Sequence, residues 1–266
     1  MTLNILFIGD IMGKPGRKAV KALLPGLRES LGLDAVIANA ENLAHGKGVS
    51  QITLDEILAA GVDFCTSGNH IWSKSEAIGI MEQKNSILIR PANYPSSNPG
   101  EGAKILSIGT KSILVINLMG RVFMRDNLDC PFRTLDAILA QYAQEPLSGI
   151  IVDLHAEVTS EKNAFGLYAN GRVSAVLGTH THIPTADERV LPKGTAYITD
   201  VGMVGIRDSM IGLDYEAGIG GYLTQMPIKH EIPDSGTVVF NSVLIKIDTA
   251  TKHATHIERI QRIIEV

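Results

Sequence analysis

The stretch Asn4-Ile5-Leu6-Phe7-Ile8-Gly9-Asp10 decides the fold class. Four consecutive apolar residues mark a buried strand, glycine closes the run, and an aspartate follows at once. A second strand of the same kind is read over 34–38 (Asp-Ala-Val-Ile-Ala). Between the two, Val20, Leu23, Leu24, Leu27 and Leu31 recur at helical spacing, and Pro25 inside that pattern predicts a helix that is kinked or begins late. Thr53 followed by Glu56 resembles a capping box, with Gly61 where a helix should end. A third strand follows over 62–66.

Further out, strands are expected over 105–108, 112–118, 149–154, 175–177 and 196–199, and helices over 133–142 and 160–168. The runs 238–247 and 256–264 predict a closing hairpin. Alternating strands and helices argue for a layered α/β fold in one domain spanning 1–266. The segment 73–101, rich in Asn, Pro and Ser, is expected to form a small irregular excursion beside the site.

With 266 residues, 45% of them hydrophobic and 20% charged, the chain can build a sizeable core without disulfides. Cys65 and Cys130 form no CxxC pair and read as plain thiols in a reducing compartment. No signal-peptide pattern is visible and no apolar run reaches the roughly 18–20 residues that cross a bilayer, so a cytoplasmic protein without a membrane partner is expected. A formal net charge of -4 offers no basic field for long nucleic acid but leaves room for a small anionic ligand.

The polar residues fall at informative places. Asp10 follows the first strand, Glu41-Asn42 the second, and Asn69-His70 the third after a Ser-Gly turn. His155 ends the run over 149–154, and His180-Thr181-His182 ends another. Ligands bind at the carboxyl edge of open α/β sheets. Alone, each residue has a plainer reading: a helix cap, a polar loop, a turn, or a satisfied core histidine. Five strand ends carrying such groups together point to a metal site. Asp, Glu, Asn and His form a mixed nitrogen and oxygen set suited to Mn, Fe or Zn. Seven groups are too many for one tetrahedral ion and suit two, with one carboxylate bridging. His180 and His182 would share a face on a regular strand but address separate ions from a loop.

Read in order, Gly9-Asp10, Glu41-Asn42, Gly68-Asn69-His70, His155 and Gly178-Thr179-His180-Thr181-His182 resemble the calcineurin-like metallophosphoesterase superfamily, whose pattern is DxH, GDxxD, GNH[DE], H and GHxH. Three positions depart from it. Met12 stands at the first histidine ligand, Glu41-Asn42 at the usual aspartate segment, and Ile71 at the acidic residue after GNH. Those departures, with the strings running from Phe7 to Arg17, from Asn39 to Asn42 and from Thr199 to Met203, resemble the YmdB-like subfamily across essentially the whole chain.

The resemblance implies a four-layer α/β/β/α sandwich, a di-metal site, hydrolysis of 2′,3′-cyclic nucleotides or related small phosphodiesters, and a cytoplasmic enzyme that forms homo-oligomers. It implies two divalent or trivalent ions, Fe or Mn before Zn. Asp10, Glu41, Asn42 and His182 would hold one ion, with Asn42 standing in for the histidine that Met12 displaces. Glu41, Asn69, His155 and His180 would hold the other. A hydroxide bridging the ions would attack phosphorus, and His70 would act as general acid on the leaving oxygen. Arg121, just past a strand, is a candidate phosphate contact or else a surface arginine. His45 and Lys47 are candidate substrate contacts or part of a solvated loop. Asp200 borders the pocket or serves as a turn residue. The rival readings are a di-metal amidase and a regulatory metal- and nucleotide-binding protein with weak turnover.

Overall fold

In a computed structural model, residues 1–229 and 231–266 are described, and two sheets dominate them. The first contains β1 (Thr2–Ile8), β2 (Asp10–Ile11), β3 (Ala35–Asn39), β4 (Phe64–Thr66), β11 (Met203–Ile206), β12 (Thr237–Asp248) and β13 (Ala254–Glu265). The second contains β5 (Ala103–Ile108), β6 (Lys111–Met119), β7 (Gly149–His155), β8 (Ala175–Thr179), β9 (Arg189–Val190) and β10 (Ala196–Ile198). The first has the order β2-β11-β12-β1-β3-β4 with β13 on β12, and the second β5-β6-β7-β8-β10-β9.

Each sheet has a parallel centre. β1, β3 and β4 run parallel, with Phe7 opposite Ile37 and Ala38 opposite Cys65. So do β6, β7, β8 and β10, with Asp153 opposite Leu177. β12 and β13 pair antiparallel, as the sequence predicts for a closing hairpin.

Three apolar clusters establish the layering. Ile5, Phe7 and Ile37 of the first sheet pack against Val115, Ile151 and Leu177 of the second, forming the core between sheets. On the outer face of the first sheet, Leu6, Ile8 and Val36 bury Val20 and Leu24 of α1 (Gly13–Leu31) and Leu54 and Ile57 of α2 (Gln51–Ala59), with α3 (Glu76–Met81) alongside. On the outer face of the second, Leu114, Ile116 and Val152 cover Leu135 of α4 (Pro131–Gln141) and Phe165 of α5 (Thr159–Ala169). Alternate side chains of one strand thus enter different cores, which is the period of two at work. The result is the α/β/β/α sandwich.

Two local expectations are corrected. α1 begins at Gly13, early rather than late, and runs through Pro25. Pro25 lies on the solvent face, where water can satisfy the carbonyl that loses its N–H partner. The capping box of α2 is formed by Ser50 and Thr53, one turn before the expected Thr53 and Glu56. Glu56 instead pairs with Arg17 of α1. The last helix, α6 (Tyr215–Thr224), lies in a stretch where no helix was expected. No helix among the described residues is long and apolar enough to cross a membrane.

Candidate metal centre

Parallel strands share a carboxyl edge, so side chains placed just after several of them are brought together by topology alone. Asp10 follows β1 and opens β2, where its N–H donates to the carbonyl of Gly202 at 3.2 Å. Glu41 and Asn42 follow β3. The buried Asn39 at the end of that strand accepts the N–H of Glu41 at 3.1 Å and so fixes where the carboxylate leaves the sheet. Asn69 and His70 follow β4, His155 ends β7, and His180 and His182 leave β8.

All seven expected ligands converge, in two groups that share Glu41. In one, the Nε2 of His155 lies 3.3 Å from Glu41 Oε1, 2.9 Å from Asn69 Oδ1 and 3.0 Å from His180 Nδ1. Glu41, His155 and His180 each offer a ligand atom within 4.8 Å of the others. In the other, Asn42 Nδ2 is 3.2 Å from both Glu41 Oε1 and His182 Nε2, and His182 Nε2 is 4.0 Å from Asp10 Oδ1. Asn42 turns its amide nitrogen to the cluster; a half-turn of the amide would present the oxygen.

Four features fit this donor set to cations. First, Asp10 is fully buried and its Oδ1 has no hydrogen-bond partner, a costly arrangement for a carboxylate that a cation would relieve. Burial accordingly pushes its carboxyl above the ordinary carboxylate range. Second, each imidazole has its outer nitrogen committed. His155 Nδ1 meets Thr179 Oγ1 at 2.9 Å, His180 Nε2 meets Glu157 at 3.1 Å, and His182 Nδ1 meets the carbonyl of Ile211 at 2.8 Å. Those acceptors hold the proton outside and turn a lone pair inward, the tautomer a metal ligand needs. Third, burial takes His155 down to about 4 and His180 to about 3, keeping both rings neutral. Fourth, a Cβ on Gly68 would overlap the His155 ring and the Glu41 carboxylate, so only glycine lets the β4 loop approach the cluster.

His180 and His182 lie in a loop, at φ 101° and 66°, a left-handed region costly for non-glycine residues. What holds them is a layer the sequence reading missed. Lys162 of α5, fully buried, donates to the carbonyl of Thr179 and to Asp200 Oδ2, both at 2.7 Å. That carboxylate oxygen also accepts the N–H and hydroxyl of Thr181. Asp200 therefore buttresses the loop between the two histidines instead of lining the pocket. A similar brace stands behind β7. Asp153, held at about 7 by burial, accepts hydrogen bonds from Thr66, Thr179 and Asn39.

A cavity of about 410 Å³ opens over the cluster, lined among others by Met12, His45, Lys47, His70, Ile211 and Leu213. His70 donates its backbone N–H to Glu41 Oε2 at 3.0 Å, while burial lowers the affinity of its half-buried ring for a proton. Its ring lines the cavity, with the Asn69 side-chain amide 3.5 Å from its nitrogens. His45 and Lys47 line this cavity. Arg121 does not: the Glu161 carboxylate captures its backbone N–H, and its side chain lines a separate cavity with Tyr94 and Arg133. Just beyond it, Phe123, Met124 and Arg125 border a further cavity of about 300 Å³ that shares His70 and His180 with the first. The sequence reading had not singled out Glu157, Lys162, Phe123 or Arg125.

A buried carboxylate–imidazole cluster at the joined edges of a two-sheet sandwich is the architecture of a metallophosphoesterase, and the protein is a hydrolase of that class. The family model described as "YmdB-like protein" matches residues 6–260, and the chain belongs to that family. It is 45% identical over 258 residues, covering 97% of this chain and 96% of the other, to a Bacillus subtilis protein named 2′,3′-cyclic-nucleotide 2′-phosphodiesterase. Among solved structures, a hypothetical protein from Thermus thermophilus superposes with TM-score 0.90 at 41% identity, covering 99% of each chain. A phosphatase from Mycoplasma pneumoniae superposes with TM-score 0.92 at 36% identity, covering 100% of this chain and 94% of that one.

Proposed function

We propose that the protein is a phosphodiesterase acting on 2′,3′-cyclic nucleotides or related small phosphodiesters, with two metal ions held by Asp10, Glu41, Asn42, Asn69, His155, His180 and His182. The observation that carries this reading is the convergence of three imidazoles, each with its outer nitrogen on a polar partner, on two carboxylates, one with an orphaned oxygen. The name of the Bacillus subtilis relative supplies the substrate class.

When bound, the ions supply polarisation of the phosphoryl oxygens and activation of water. Glu41 reaches both groups of ligands and would be shared; the donor set accepts Fe, Mn or Zn, and the family resemblance puts Fe or Mn first. Thr179, Glu157 and the Ile211 carbonyl keep the three rings in the binding tautomer. His70 stands at the mouth of the cluster without a place in it. It would deliver a proton to the ribose oxygen that leaves phosphorus, a role worth about 10²–10⁴-fold. His45 and Lys47 add donors on the cavity wall for the phosphate or ribose.

Elemental analysis of the purified protein combined with a panel of phosphodiester, phosphomonoester and amide substrates tests the reading. Two ions per chain with preference for 2′,3′-cyclic nucleotides is the expected result. Cleavage of amides instead, or tight nucleotide binding without turnover in the metal-loaded protein, overturns it.

A further inference from the structure

The loop between β6 and α4 carries an arrangement that the hydrolytic chemistry leaves unused. Phe123 is 86% exposed and adopts φ 61°, so an apolar ring stands in water on a backbone conformation that bulky residues avoid. The loop that presents it is braced. The Glu161 carboxylate accepts the N–H groups of Arg121 and Val122 at 3.0–3.1 Å. Asn93 ties the two stems together, donating to the carbonyls of Met119 at 2.7 Å and Asp129 at 3.0 Å. An exposed, strained aromatic held by such braces is a feature to be explained by what it meets.

Its surroundings indicate what that is. Phe123 borders the smaller cavity together with Asn69, His70, Met124, Arg125 and His180, so its ring lies beside the candidate metal centre. The larger cavity, which is also lined by His70 and His180, has Met12, Ile211 and Leu213 as its apolar wall and, among the described residues, no carbocyclic aromatic side chain. A nucleotide whose phosphate sits at the cluster can therefore place its base against a phenyl ring in the smaller cavity, whereas the larger one offers only imidazole rings among the described residues. Stacking on an aromatic side chain tolerates every base, because every base has a π-face. Arg125, in the same cavity, offers planar donors to base edges or a neighbouring phosphate.

We infer that Phe123 is the nucleobase platform of the substrate site, so that the base is recognised in the smaller of the two cavities that meet at His70. This rests on the nucleotide reading above and adds the residue that recognises the base.

The test compares metal-loaded wild type, Phe123→Ala and Phe123→Trp on adenosine 2′,3′-cyclic phosphate and on glycerol 1,2-cyclic phosphate, which has the same five-membered phosphodiester and no base. In Phe123→Ala the preference for the nucleoside ester, as the ratio of kcat/KM values, is expected to fall about fivefold or more, mainly through KM. Phe123→Trp should keep or raise it. An unchanged ratio, including one in which both substrates weaken together, overturns the proposal and leaves the phosphodiesterase reading standing. Should wild type cleave neither compound, that reading fails, and Phe123 is judged by binding alone. Quenching of 2-aminopurine riboside 3′-phosphate fluorescence, present in wild type and lost in Phe123→Ala, supports the platform; no quenching in wild type overturns it.

Discussion

Lys162 and Asp200 form an ion pair of 2.7 Å in which each side chain is only 1% exposed. Neither is a candidate ligand, yet between them they hold the carbonyl of Thr179 and the N–H and hydroxyl of Thr181, the residues that bracket His180. The pair thus fixes a loop in which two histidines occupy left-handed conformations. Replacing Lys162 with Met would leave Asp200 buried without its cation. Removing one partner of a buried pair typically costs about 3–5 kcal/mol, and this variant is expected to lose stability of that order in chemical denaturation. Metal retention should weaken with it, because the histidine loop loses its anchor. Wild-type stability together with wild-type metal content in Lys162→Met would show that the pair holds nothing.

Glu41 is expected to be the least replaceable ligand. Its Oε1 faces both His155 and Asn42, one from each group, while Oε2 accepts the N–H of His70. Glu41→Gln keeps the size and removes the charge that two cations would share. Turnover should collapse and metal content, measured by elemental analysis, should fall. A variant with two ions bound and near-normal turnover would show that no shared carboxylate is needed.

The site was legible where its signals are local and the topology general. Asp10, Glu41 and Asn69 each follow a short apolar run, and a parallel sheet brings such ends together whatever the loop details. Lys162 was legible in principle, because it shares helical spacing with Phe165, Gly166 and Ala169, all buried on one face of α5. A lysine in an apolar stripe signals a buried partner, but Asp200 lies 38 residues away and nothing local names it. Phe123 and Arg121 mark where local signals stop. Both follow β6; Glu161 and Asn93 hold the loop so that Phe123, and not Arg121, borders a cavity lined by His70 and His180. The cap of α2 was misread for a related reason. Thr53 satisfies the motif from either side, and the pairing of Glu56 with Arg17 is a tertiary fact.

The role of His70 can be separated from metal binding by the choice of leaving group. A ribose alkoxide needs a proton as it departs, whereas p-nitrophenolate leaves without one. His70→Ala should therefore lose about 10²–10⁴-fold on a nucleoside 2′,3′-cyclic phosphate and far less on bis(p-nitrophenyl) phosphate, with metal content retained. Equal losses on both substrates, or loss of metal with activity, would remove His70 from the proton-donor role.

Thr179 gives the sharpest test of how the centre is prepared for metal. Its hydroxyl donates to Asp153 at 2.7 Å and so must accept from His155 Nδ1, 2.9 Å away. That direction fixes the His155 proton on the outer nitrogen and leaves Nε2 free beside Glu41 and Asn69. Thr179→Val keeps the shape and removes these two hydrogen bonds together with a longer one of 3.5 Å from Asn39; the imidazole can then carry its proton on either nitrogen, and Asp153 loses one of its donors. Partners of this kind typically contribute about 10–100-fold to metal affinity, so titration of the metal-free variant with Mn²⁺ should show weaker binding of that order. Thr179→Ser restores the hydroxyl and should recover affinity. A valine variant that binds Mn²⁺ as wild type does would mean that packing alone orients His155, and that the chain from Asp153 through Thr179 serves the fold and not the centre.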